Sequence, residues 1–104
     1  MKRQKFYVAI GEVNAPAPRA VYGYIKGDIG VYKNGRNWHA THIPTGFYLG
    51  VSQPTLHYIF VDAARTLENP KAQEWLADPK VIAHIETFKA IIAEVEKLKG
   101  SDLN

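Results

Sequence analysis

The chain has 104 residues, of which 46% are hydrophobic and none is cysteine, so it can bury one core and cannot build a disulfide framework, a thiolate metal site or a cysteine nucleophile. No run approaches the roughly 18 uninterrupted apolar residues of a membrane span. The basic start, Met1-Lys2-Arg3-Gln4-Lys5, leads into an apolar run that breaks at Gly11-Glu12 without a cleavage pattern, so the expectation is a soluble cytoplasmic chain without a signal peptide.

Residues 5 to 13 (KFYVAIGEV) put Phe6, Val8 and Ile10 on one side and Tyr7 and Ala9 on the other, the period of two that marks a strand. Asn14-Ala15-Pro16-Ala17-Pro18 reads as a loop, because two prolines cannot donate to a ladder. Val21 to Ile25 and Ile29 to Tyr32 form a hairpin around Lys26-Gly27-Asp28; Asn34-Gly35 turns into a strand from Asn37 to Ile43, and Pro44-Thr45-Gly46 into another from Phe47 to Val51. After Pro54-Thr55 the period becomes helical on Leu56, Ile59, Phe60, Ala63, Ala64 and Leu67, with Thr55 as N-cap and Asn69-Pro70 as stop. Pro70 opens a short helix through Leu76. Asp78-Pro79 opens a long one closed by Gly100. The prediction is a single α+β domain over residues 1–104: a four- to five-stranded antiparallel β-meander in 1–54, packed against two or three C-terminal α-helices in 55–100, with a frayed tail at 101–104.

The long helix carries Val81, Ile82, Ile85, Phe88, Ile91, Ile92, Val95 and Leu98, a wider apolar set than seating on a small sheet requires. A homodimer, or a partner docked on this helix, is expected from it.

Net charge is +3, unevenly spread: residues 1–50 hold seven Lys and Arg against two acidic residues, and residues 51–104 hold six against eight. Tyr7, Tyr22, Tyr24, Tyr32, Trp38, Phe47 and Tyr48 interleave with Lys5, Lys26, Lys33 and Arg36 along the strands. Bases stack on exposed rings and cations neutralise phosphates, so this pattern suits an anionic partner, a nucleic acid or a nucleotide. Lys26, Lys33 and Arg36, at the two hairpin turns, are expected to share one positive surface.

The segment from Asn37 to Gly46 (NWHATHIPTG) adds Trp38, His39, Thr41 and His42 as candidate binding residues, with Tyr48 following. On a strand, Trp38, Ala40 and His42 share one face while His39 and Thr41 share the other. The histidines therefore do not jointly ligate a metal, Trp38 points to the core, and His39 and Thr41 face solvent. His39-Ala40-Thr41 also fits the His-x-Thr element of two-histidine phosphoesterases. That chemistry needs two such elements, and neither His57-Tyr58-Ile59 nor His84-Ile85-Glu86 supplies the second. Phosphate-loop, nucleophile-elbow and zinc-helix patterns are absent too, so the expectation is a non-enzymatic protein without cofactor.

Trp38-His39-Ala40-Thr41-His42-Ile43-Pro44-Thr45-Gly46 resembles a Trp-x-x-Thr-His-x-Pro-Thr-Gly segment of small phage and prophage accessory proteins. Gly30-Val31, Trp38, Ala40, Gly46 and Leu49-Gly50 are similar to the sheet of plant-type AP2 DNA-binding domains, without that family's Ala-Tyr helix segment and several strand arginines. The phage resemblance implies an accessory binding module that works by occupancy in host cytoplasm. The leading expectation is an anionic partner held by the basic aromatic sheet. The alternative is a protein-binding inhibitor or regulator of a host complex, such as a defence complex.

Overall fold

The computed structural model describes residues 2–10 and 17–102, the side chains of 99–102 excepted. Five strands, β1 (Gln4–Ile10), β2 (Ala17–Lys26), β3 (Ile29–Asn34), β4 (Asn37–His42) and β5 (Phe47–Gln53), precede three helices, α1 (Leu56–Glu68), α2 (Pro70–Ala77) and α3 (Pro79–Asp102). The strands lie side by side in chain order and every pair is antiparallel, which makes an α+β meander.

Side-chain alternation sorts the sheet into two faces. On one, Tyr24, Ile29, Val31, Trp38, Ala40, Leu49 and Val51 pack with Leu56, Ile59, Phe60 and Ala63 of α1 around a fully buried centre of Val31, Ala40, Ile59 and Ala63. On the other, Phe6, Val8 and Val21 are buried with Ile25, Tyr32 and Ile43, and Ile43 also lines a cleft with Ile85, Phe88 and Ile92 of α3. Curling of the sheet, with α3 at the Ile43 end, closes this second cluster off from water. β2 gives Ala17–Gly23 to β1 and only Tyr24–Lys26 to β3, and the Ala9 N–H of β1 reaches round to donate to the Gly46 carbonyl at 2.8 Å. Gly46 makes this closure sterically feasible. Its φ is +74°, and a Cβ there would stand 2.5 Å from the Phe88 ring and 2.8 Å from the Ala9 nitrogen.

The same bond explains a departure from the expected Asn14–Pro18 loop. β2 already begins at Ala17, with Pro18 opposite Ala9. Because the Ala9 N–H turns away from β2, the Pro18 nitrogen opposite it turns away from β1, on a side where β3 offers no partner, so the missing N–H costs no ladder bond. Gly11–Val13 of the expected first strand and Asn14–Pro16 of the loop lie outside the described residues.

Side-chain caps punctuate the helices. Thr55 Oγ1 accepts from the Tyr58 N–H (3.4 Å), Asn69 Oδ1 from Lys71 (2.9 Å) and Asp78 Oδ1 from Lys80 (2.8 Å), with Pro70 and Pro79 each opening its helix. Gly100 does not close α3: the helix continues to Asp102, so residues 101 and 102 are helical rather than tail, and 103–104 lie outside the described residues. Helix ends shift by a residue or two at little cost.

α3 buries Val81, His84 and Phe88. The His84 ring stacks between Phe47 (4.4 Å between centroids) and Phe88 (5.8 Å), while its Nε2–H donates to the Thr45 carbonyl at 2.8 Å. Farther along, Glu96 accepts from the Tyr7 hydroxyl and lies 3.0 Å from Lys5 Nζ. Ile82 and Leu98 are exposed, and Ile85, Ile91, Ile92 and Val95 only half-buried, so this chain does not cover the whole apolar set. Among the described residues, no helix is long and apolar enough to cross a membrane.

Candidate functional site

β2 and β3 part company at Gly23. A Cβ there would fall 1.9 Å from the Val31 carbonyl oxygen, and beyond this point the two strands are no longer paired. A cleft of about 270 Å³ opens between them, walled by Arg3, Arg19, Tyr22, Tyr32, Lys33 and Asn34. It adjoins a second groove of about 280 Å³ where Arg3, Tyr22 and Lys33 meet Tyr24 and Trp38. The Arg3 guanidinium sits 5.7 Å from the centre of the Tyr22 ring, and Lys33 Nζ sits 6.0 Å from that of Trp38. Among the described residues no carboxylate pairs with Arg3, Arg19 or Lys33. Asp28, in the turn between β2 and β3, lies at the opposite end of β3 from Lys33, where its field reaches His42.

A row of rings leaves this cleft across the face opposite α1. Tyr32 on β3, a wall of the cleft, lies 6.0 Å from His39 on β4 with planes 29° apart, and His39 lies 5.6 Å from Tyr48 on β5. Register produces the row: Tyr32 pairs with His39, and the shift between His39 and Thr41 brings Tyr48 alongside. Tyr48 is 55% exposed, and Tyr32 and His39 are half-buried. Cations at one end and stackable rings along the sheet make an arrangement that neutralises phosphate and receives flat bases.

The expected site residues separate into groups. His39 and Tyr48 belong to the row of rings, while Lys33 lines the cleft from the α1-side face with Trp38, which packs against the α1-side core as the alternation predicted. Lys26, Lys33 and Arg36 do not share one surface. Turns of a meander alternate between its two ends, so Lys26, opposite Ile29, lies about 13 Å along β3 from Lys33 and Arg36 at the other end.

Thr41 is 1% exposed, not facing solvent as expected, because the curl of the sheet covers its face. His42 is 4% exposed under α2, with Trp75 packed edge-on 6.4 Å away. Its Nδ1 lies 3.0 Å from Thr45 Oγ1, which also bonds the His42 carbonyl (3.2 Å) and accepts from the Phe47 N–H (3.2 Å). Burial pushes the His42 imidazole below its ordinary pKa, and Asp28 partly opposes this.

Sequence reasoning missed Arg3 and Arg19. Arg3 lies in the basic start and Arg19 sixteen residues later, and their meeting depends on β2 carrying residues 17–23 back past β1. Among the described residues no three His, Asp or Glu side chains gather as a metal site would require. Comparison of the chain with protein-family models, with curated proteins and with solved structures returned no match.

Proposed function

We propose that the protein is a non-enzymatic binding module for single-stranded nucleic acid, acting by occupancy. The observation that carries this reading is that Tyr32 is at once a wall of the cleft lined by Arg3, Arg19 and Lys33 and the first ring of the Tyr32–His39–Tyr48 row. Bases reach such rings only when unpaired, and the cleft supplies charge for the backbone that connects them. A row crossing three strands suits a polymer better than a mononucleotide. The likeness of Trp38–Gly46 to phage proteins adds an accessory role in host cytoplasm to the proposal. A second reading, occupancy of a host protein through α3, draws on exposed Ile82 and Leu98.

Fluorescence anisotropy with a labelled oligothymidylate tests the first reading. Neutralising about three phosphates gives a slope of log K against log salt of about −2, whereas an apolar α3 interface is nearly indifferent to salt. Tyr48→Ala should weaken binding about tenfold, within the roughly 1–3 kcal/mol of one base stack, and leave the thermal midpoint unchanged. Thymidine monophosphate should bind far more weakly than the oligomer. No binding at low salt, or binding that salt does not weaken, would overturn the proposal.

A further inference from the structure

A third concavity lies on the α1 side of the sheet, between α1 and the β2–β3 hairpin. Its volume of about 710 Å³ is the largest of the clefts described, and falls in the range of small-molecule sites. Ile29 from the sheet and Leu56, Phe60 and Val61 from α1 form an apolar floor, while Lys26 and His57 stand at the rim. All four floor residues are only half-buried in this chain, so the groove leaves part of its apolar surface in contact with water. No acidic side chain lines it, and among the described residues no carboxylate pairs with Lys26.

We propose that this groove binds an amphipathic carboxylate, an unbranched alkanoate of medium chain length. The chain would cover Ile29, Leu56, Phe60 and Val61, removing apolar surface from water. The carboxylate would meet the Lys26 ammonium with the His57 ring beside it, a charge-assisted contact that fixes which end of the ligand lies at the rim. A nucleic acid has no comparable apolar length to lay on the floor, and the groove shares no residue with the basic cleft.

Calorimetric titration with decanoate below its micelle concentration tests this, with decyltrimethylammonium as the probe of equal length and opposite charge. Saturable one-to-one binding of decanoate is expected, at least tenfold tighter than that of the cation. Lys26 is exposed, so Lys26→Gln should leave the fold intact and erase the preference. Val61→Phe should fill the groove and weaken both amphiphiles. Equal affinity for the two probes, absence of decanoate binding, or a preference that survives Lys26→Gln would overturn the proposal. So would a concentration-dependent dimer that Val61→Phe dissociates and decanoate does not, which would assign the groove to a second copy of the chain. Oligothymidylate binding is an independent readout on the same variants, so this inference and the nucleic-acid reading stand or fall separately.

Discussion

His42 shows how one buried titratable residue sets a stability window. Burial lowers its pKa in the fold below the ordinary 6.5, with Asp28 opposing, so the unfolded chain takes up the proton first as pH falls. Stability therefore rises with pH through this interval, and what is present above the unfolded value is lost as the pH drops through 6.5 towards the folded value. The thermal midpoint is expected to be level near neutrality and to fall on acidification, with His42→Gln giving a shallower fall from a lower start. If both proteins lost stability in parallel, the titrating group would lie elsewhere. Residue by residue, the side of the sheet was legible and the depth was not. Alternation put Trp38 with Ala40 and His39 with Thr41, as found, yet the burial of Thr41 depends on how far the sheet curls, and no local pattern encodes that.

At the scale of elements, the sequence was most readable where a side chain meets a backbone group a few residues away. Asn69-Pro70 and Asp78-Pro79 each join a cap acceptor to a residue pre-set for the first helical turn, and both begin helices where expected. Asp78→Ala removes the acceptor for the Lys80 N–H and should cost about 1 kcal/mol, a drop of roughly 4–8 °C in thermal midpoint for a domain of this size. Asp78→Asn keeps an acceptor and should recover most of the loss; an alanine variant as stable as the parent would show that packing alone sets the start of α3. The misread elements, Pro18 within β2 and α3 running past Gly100, are those decided by distant or marginal terms. Pro18 is tolerated because β3 is absent beside it, which is a property of the whole sheet. The His84 contacts belong with these, since the Thr45 carbonyl it satisfies lies 39 residues earlier.

For the whole molecule, the excess of positive charge in the first half was visible from composition, but its focus was not. A meander sends successive turns to opposite ends, which separates Lys26 from Lys33 and Arg36, while the path of β2 brings Arg3 and Arg19 to Lys33. Net charge and local charge therefore make different predictions. Lys26→Glu and Lys33→Glu change the net charge by the same amount, both residues are exposed, and neither side chain fills a core. If long-range attraction by the +3 chain governs nucleic-acid binding, the two reversals weaken it equally. If the cleft holds the phosphates, Lys33→Glu alone should lower oligothymidylate affinity at least tenfold near 50 mM salt and flatten the salt slope by about 0.7, the share of one phosphate contact on a single strand. Lys26→Glu should leave both quantities near their parent values. Anisotropy titrations of the three proteins over a salt series read out the difference, and equal losses from the two reversals would remove the cleft from the binding argument.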